Sequence, residues 1–266
     1  MDIGTTSIDV VNDGTILLDG GSLFGPVPKV VWEQQLKPDR KNRIRLGLNC
    51  MLIQTPSANI LVDTGIGSKR PEKLKEIYGA NGNKLLKEIK KHGVSARDID
   101  IVVLTHLHFE SAGGCTKIDR AGKVLPTFSK ARYVVQQSAW EEANNPDERS
   151  RSVFHEADFL PLEEIGALSI IDGDTEIVPG VRTKVTNGHS IGHQIILAEI
   201  GSERIAFLGE FIPTPQHLPL NSISAFDHSP TGTVRGKQDV LQMALDEGWL
   251  LVFGNAIGSR AGYVEQ

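Results

Sequence analysis

Asp98-Ile-Asp-Ile-Val-Val-Leu-Thr-His-Leu-His-Phe-Glu-Ser-Ala-Gly-Gly114 is the stretch on which the reading of the fold turns. Ile99 to Leu104 is a short apolar run rich in β-branched residues and reads as a buried strand. It runs into a polar turn carrying His106 and His108, then into a helix start. Side chains two apart in an extended segment point the same way, so both imidazoles can reach one metal ion. An H-x-H pair is a weak motif by itself. Its place at a strand's carboxyl end strengthens it, because ligands of α/β proteins gather there.

Outward from that strand, the chain alternates hairpins with glycine-bearing loops. Ser7 to Leu18 reads as a strand with a turn at Asn12-Asp13-Gly14. Residues 19–35 (DGGSLFGPVPKVVWEQQ) read as a long irregular loop carrying Leu23, Phe24, Val27 and Trp32. Such an apolar loop either packs on the core as a flap or lines a binding pocket. Arg43 to Gln54 and Asn59 to Asp63 form a hairpin ending in Asp63-Thr64-Gly65. Asp63 either orients a neighbouring histidine or is a turn carboxylate satisfied by backbone N–H groups. Lys69 to His92 reads as two amphipathic helices broken at Gly79–Gly82, with a solvated charged face.

Beyond Gly114, Ala131 to Gln136 is a strand and Ser138 to Ala143 a short helix. Asn144 to Glu156 is polar and reads as exposed, with His155 a surface histidine. Short strands at 168–172, 175–178 and 181–186 lead to Asn187-Gly188-His189-Ser190-Ile191-Gly192-His193, a second strand-to-loop transition with histidines between glycines. Glycines there let backbone pass close to a site. Gln194 to Ile200 and Arg204 to Leu208 form a second hairpin that ends in Gly209-Glu210. Thr231 to Glu247 is an amphipathic helix, and Trp249 to Phe253 is the last buried strand, ending in Gly254-Asn255. This order predicts a single domain over 1–266: an α/β, four-layer αββα sandwich of two β-sheets flanked by helices.

Composition narrows the classes of function. The 266 residues carry a net charge of −5, which offers no basic face for nucleic acid. No stretch reaches membrane-span length, and the N-terminus lacks a signal-peptide pattern, so a cytoplasmic location is expected. Cys50 and Cys115, the two cysteines, read as buried thiols.

His106/His108, His189, Glu210 and Asn255 at four strand ends, with Asp63-Thr-Gly65 before them, resemble the pattern of the metallo-β-lactamase superfamily of metal-dependent hydrolases. The GGSLFGPVPK and GEFIPTPQHL stretches resemble the branch that includes lactonase-like and methyl-parathion-hydrolase-like enzymes. The family signature is T-H-x-H-x-D-H, a G-H-[ST]-x-G-H loop, a G-D strand end and a final histidine. His106, His108 and His189 match the histidines of the first metal site. Glu110, Ser111, Glu210 and Asn255 stand where the family has Asp, His, the bridging Asp and the last His.

The resemblance therefore implies a mononuclear site: one divalent metal, zinc first and Fe, Mn or Cu as other options, on His106, His108, His189 and Glu210. No tight second zinc is expected, since Ser and Asn offer only neutral oxygen and Glu is longer than Asp. Such a site would generate metal hydroxide for attack on an ester, a lactone or a related electrophile. Glu110 and Glu210 are the candidate catalytic carboxylates, with Glu110 either a general base or a hydrogen-bond partner of a ligand. Phe24, Trp32, His217 and Phe226 are the pocket candidates for a small-molecule substrate, and pairing into a homodimer is compatible with the family. The glycines and flanking residues of the motifs are intact while the ligand positions differ. That contrast reads as a site recast by engineering or evolution, with a non-hydrolytic Lewis-acid or redox metalloenzyme and a metal-free scaffold as the competing functions.

Overall fold

Alternation along Arg43–Gln54 sends Met51 and Ile53 to one face and Cys50 and Leu52 to the other, and both pairs are buried. A strand buried on both faces lies between two covering layers. The computed structural model, which describes residues 2–3, 6–69 and 72–265, shows that arrangement throughout.

The chain first lays down β1 (Asp2–Ile3), β2 (Thr6–Asp19), β3 (Arg43–Gln54), β4 (Asn59–Val62) and β5 (Ile101–Val103). A separate hairpin follows, β6 (Thr116–Ile118) and β7 (Val124–Pro126). The first five strands with β8 (Arg132–Gln136) and β9 (Leu168–Ile171) make a seven-stranded sheet of order β1-β2-β3-β4-β5-β8-β9. The second sheet has six strands in chain order: β10 (Glu176–Val178), β11 (Val181–Val185), β12 (Gln194–Ile200), β13 (Glu203–Phe207), β14 (Leu250–Val252) and β15 (Ala261–Gly262). The helices are α1 (Gly20–Phe24), α2 (Lys29–Trp32), α3 (Glu72–Tyr78), α4 (Leu85–Lys91), α5 (Phe109–Ala112), α6 (Gln137–Asn144), α7 (Glu156–Glu164) and α8 (Pro230–Glu247).

The two sheets face each other across one apolar layer. Met51, Ile53, Val62, Val103 and Val134 from the first meet Ile196, Ala198, Ile205, Phe207 and Val252 from the second. The alternate residues of the same strands face outward onto helices. Leu85 and Ile89 of α4, Ala139 of α6 and Phe159 and Leu162 of α7 cover the first sheet. Val240 and Ala244 of α8 cover Ile195, Leu197, Ala206 and Leu251 of the second. This is the four-layer αββα sandwich read from the sequence. Each fully buried Ile, Leu, Val or Phe contributes about 1.5–3 kcal/mol. Phe207→Ala, at the centre of the facing layer, would cost about 3–5 kcal/mol.

Four local expectations change. Asn12-Asp13-Gly14 is not a turn: β2 runs through it against β3 with a register shift between Asn12 and Gly14. Asp13 is buried there and accepts from the N–H groups of Gly67, Lys84 and Leu85, so it caps α4 from across the sheet. The 19–35 segment is not irregular. It forms α1, capped by Asp19 accepting from Ser22 N–H, and α2, entered through Pro28. α7 has no counterpart in the sequence reading, because Pro161 lies inside it and Ala157, Phe159, Leu160 and Leu162 do not form one helical stripe. α8 starts one residue earlier than read, with Pro230 in its first turn and Ser229 Oγ accepting from Gly232 N–H as its cap. The two helices read within 69–92 are α3 and α4, although Arg70 and Pro71 lie outside the described residues. Among the described residues no helix is long and apolar enough to cross a membrane.

Candidate functional site

Five strand ends open on the same edge of the sandwich. Parallel pairing of β4 with β5 brings Asp63 beside Thr105, and parallel pairing of β13 with β14 brings Glu210 beside Asn255. The β11–β12 turn adds His189. Leu107 is buried in the outer core, so His106 and His108, which flank it in the same extended segment, face the opposite side. His108 ends that segment in a β conformation and α5 starts at Phe109. The far side of this turn is held by Lys69, whose Nζ donates to the carbonyls of Gly113 at 2.6 Å and Thr116 at 2.7 Å and pairs with Asp158 at 3.1 Å. Gly114 packs so closely that a Cβ there would lie 2.1 Å from the Thr64 carbonyl oxygen, so no other residue fits.

His106, His108, Glu110 and His189 each place one ligand atom within 4.8 Å of all the others. Hydrogen bonding fixes which nitrogens face inward. Thr105 Oγ1 donates to Asp63 Oδ2 at 2.8 Å, so it accepts the Nδ1–H of His106 at 2.9 Å. That leaves His106 Nε2 as a lone pair, buried and without a hydrogen-bond partner among the described residues. His189 donates its Nδ1–H to Asp227 Oδ1 at 3.2 Å and turns Nε2 inward, 3.3 Å from His108 Nδ1. Three imidazole nitrogens and a carboxylate oxygen therefore converge, each histidine with its other nitrogen or its flank fixed by protein. Three nitrogens and a carboxylate oxygen converging at this range fit a cation, and this nitrogen-rich set fits a transition metal.

The electrostatics agree with that fit. Burial, then the neighbouring His189, pushes His108 down to about 3, so it stays neutral as a ligand must. Burial and the surrounding histidines hold His106 well below its ordinary range. Burial also opposes a charge on His189, but the hydrogen bond it donates to Asp227 and the charges of Glu210, Asp227 and Glu110 outweigh it and raise His189 to about 9. A position that favours a proton on Nε2 this strongly favours a bound cation for the same reason.

Glu210, the carboxylate expected with the histidines, stands 3.2 Å from His189 Nε2, and Glu110 is the carboxylate in the close group with all three histidines. Glu110 Oε1 lies 3.5 Å from His108 Nδ1. The two carboxyls lie close enough that each bears on the other's charge. Burial raises Glu110 to about 7, and burial together with the Glu110 charge raises Glu210 to about 7.

A cavity of about 200 Å³ opens over this group. Its polar floor is His108, Glu110, His189 and Glu210, and its apolar walls include Ile16, Leu18, Tyr78, Phe109, Val153 and Phe226. Of the four pocket candidates, Phe226 lines this cavity. Phe24, Trp32 and His217 do not. They are 2%, 3% and 1% exposed, and Phe24 stacks between the other two, at 5.6 Å from Trp32 and 4.4 Å from His217. Gly20 lies against the Trp32 ring, and His217 Nε2–H donates to the Leu23 carbonyl at 3.1 Å. The apolar loop is thus a packed flap, and its aromatic residues form the wall behind the site.

Several contributors carried no readable signal. Asp227 lies 38 residues after His189 in an irregular loop, and only the fold brings them together. Asp147, Arg149, Ser150 and Val153 come from the segment read as simply exposed, yet they face the cavity. Arg149 crosses to donate to the carbonyls of Ala225 and Asp227 at 2.6 and 2.7 Å, tying the Asp227 loop down. His155 is half-buried and stacks on Phe109 at 5.3 Å. Glu142 of α6 accepts from Ile191 N–H at 3.0 Å and so steadies the His189 turn. His193 is fully buried behind the group, with its ring 5.2 Å from that of His106 and Thr186 Oγ1 at its Nδ1. Gly209 adopts φ +54 there, and a Cβ would lie 3.0 Å from His193 Nε2.

Comparison with known proteins places these observations. The family profile of the metallo-beta-lactamase superfamily matches residues 44–255. An N-acyl homoserine lactonase of Bacillus cereus is 30% identical over 178 residues, covering 63% of this chain and 64% of that protein. The chain thus spans a little under two thirds of the length of that relative. The crystal structure of a probable metal-dependent hydrolase from Staphylococcus aureus is 31% identical and superposes with a TM-score of 0.91, over 98% of this chain and 93% of that one. A dizinc quorum-quenching lactonase, in complex with a product, shares the fold at 19% identity and a TM-score of 0.81, over 100% and 92%. The chain belongs to the metallo-β-lactamase superfamily.

Proposed function

We infer that this chain is a metal-dependent hydrolase that opens an ester or lactone bond in a substrate with an apolar acyl part, using one transition-metal ion, zinc first. The observation that carries this reading is the convergence of His106, His108, Glu110 and His189 at the floor of an apolar-walled cavity. The relatives named N-acyl homoserine lactonases support the acyl lactone as the substrate class.

A divalent ion held by those four residues would supply Lewis acidity, polarising the acyl carbonyl and lowering the pKa of water. The protein's own groups do the rest. Asp227 and Thr105 hold His189 and His106 in the tautomers that present Nε2 to the site. Glu210, beside His189 and raised to about 7, can take a proton from attacking water at neutral pH and return it to the leaving alkoxide. Phe226, Leu18, Ile16 and Val153 bury the acyl chain and exclude water from it. Zinc-loaded protein is expected to hydrolyse acyl homoserine lactones, with KM falling as the acyl chain lengthens. His106→Ala, stripped of its metal, is expected to lose at least a thousandfold in kcat/KM. Equal activity of His106→Ala, or no hydrolysis of any lactone or ester by loaded protein, contradicts the reading.

A further inference from the structure

One carboxylate on the cavity wall is not used by the histidine group. Glu142, on α6, lines the cavity but lies outside the cluster of His106, His108, Glu110 and His189. Its Oε2 accepts from the N–H of Ile191 at 3.0 Å, just beyond His189 in the chain. Among the described residues its carboxylate takes no other hydrogen bond and pairs with no lysine or arginine, so Oε1 is left for the cavity. Burial, with the nearby Asp147 charge adding to it, raises Glu142 to about 7. A hydrogen-bond donor brought in by a ligand would stabilise the ionised carboxylate.

The place of Glu142 relative to the histidines is fixed from two sides. Gly192, at φ +69, brings the 189–192 turn so near α6 that a Cβ there would lie 2.4 Å from the backbone nitrogen of Ala139. On the other flank the His228 N–H donates to the His189 carbonyl at 2.8 Å. The turn that carries His189 is thus clamped between α6 and the loop at 228. The other carboxylate on the cavity wall, Asp147, is engaged in its own turn. Its Oδ1 accepts from Arg149 N–H at 2.9 Å, Ser150 N–H at 2.8 Å and Ser150 Oγ at 2.9 Å. The side chains of Ile16, Leu18, Val153 and Phe226 offer no acceptor, so they cannot tell N–H from CH₂ on a ligand.

We propose that Glu142 is a specificity-determining residue, whose Oε1 accepts the amide N–H of an N-acyl lactone with its ring carbonyl at the histidine group. This rests on the lactone-hydrolase reading above and adds the group that separates an N-acyl lactone from a plain alkyl lactone. In an N-acyl lactone the amide nitrogen sits on the carbon next to the reacting carbonyl. A residue that reads the N–H must therefore stand beside the metal-binding histidines, as Glu142 does through the His189 turn. A substrate with CH₂ in place of N–H leaves this partly buried oxygen without a donor, which is the stronger form of discrimination.

The test compares an N-acyl homoserine lactone with its carba analogue, in which CH₂ replaces the amide N–H. Zinc-loaded full-length protein is used at pH 8, where Glu142 is ionised. The parent is expected to favour the amide by at least about tenfold in kcat/KM. Glu142→Gln keeps a carbonyl oxygen for the Ile191 N–H and turns an NH₂ group, a donor, into the cavity. Its preference should fall to near unity while zinc content stays that of the parent. Calorimetry with an N-acyl aminocyclopentanone, which has the amide but no bond to open, should show binding at least about tenfold weaker to the variant than to the parent. A parent that does not distinguish the two lactones overturns the proposal. So does a Glu142→Gln variant that keeps the preference or binds the cyclopentanone as the parent does, which leaves Glu142 a support of the His189 turn alone. If zinc-loaded parent opens neither lactone nor any ester, the hydrolase reading fails and this inference with it.

Discussion

Asp227 Oδ1 lies 3.2 Å from Nδ1 of His189, and this contact decides which nitrogen of His189 faces the site. Asp227→Asn keeps the size but removes the charge, and its amide can donate as well as accept. Loss of the carboxylate that orients a ligand histidine typically costs about 10–100-fold in metal affinity. The expected outcome is a zinc affinity at least tenfold weaker by competition with a chelator, at an unchanged unfolding midpoint for the metal-free protein.

The two carboxylates are expected to separate by role. Glu110→Gln removes a ligand and should lower zinc occupancy. Glu210→Gln should keep one zinc and lose about 10²-fold or more in kcat, the usual scale of a lost acid or base. Elemental analysis with steady-state kinetics on both variants checks this. Zinc lost from Glu210→Gln and kept by Glu110→Gln would reverse the assignment.

Aromatic residues around the site divide into wall and substrate contact. Trp32→Ala opens a void beside Gly20 and Phe24 and should destabilise by about 3–5 kcal/mol. Phe226, 44% exposed on the cavity, should tolerate Ala with under about 1 kcal/mol of lost stability. Its effect should appear as a higher KM for long acyl chains. Chemical denaturation and a substrate series distinguish the two.

His217 sets an acid limb on stability. Burial, against its bond to the Leu23 carbonyl, pushes it down from 6.5 to about 4. Above pH 6.5 both folded and unfolded forms hold it neutral. As pH falls from 6.5 towards 4, the unfolded chain takes up a proton that the folded chain refuses, so stability is lost. The full loss is roughly 3 kcal/mol at 1.36 kcal/mol per pH unit. His217→Gln keeps a donor for Leu23 and should shed this loss. Urea midpoints of the two metal-free proteins should converge as pH falls from 7 to 4.5.

The legible part of this protein is the part written in period and punctuation. The apolar run at 99–104 and the alternation of 43–54 gave two-faced strands, and histidines at their ends gave the metal-binding edge. Phe24 and Trp32 were ambiguous because an apolar loop residue has the same composition whether it faces a pocket or the core. The stacking of Phe24 on His217, from residues nearly two hundred positions apart, decides the matter in space. Asp227 and Arg149 were unreadable for the same reason, since their contacts form only when loops far apart in the sequence meet. The sequence reading set Glu210 with the three histidines and Glu110 as a base or a ligand's hydrogen-bond partner, while the close group contains Glu110. Which one joins the histidines depends on the direction of each strand end, and no local pattern encodes that.

The most direct test is anomalous diffraction at the zinc edge, from crystals of full-length protein carrying one equivalent of zinc. A single peak in contact with His106 Nε2, His108 Nδ1, His189 Nε2 and the Glu110 carboxylate is the predicted result. A zinc peak beside Ser111 and Asn255, or none among the three histidines, would contradict it.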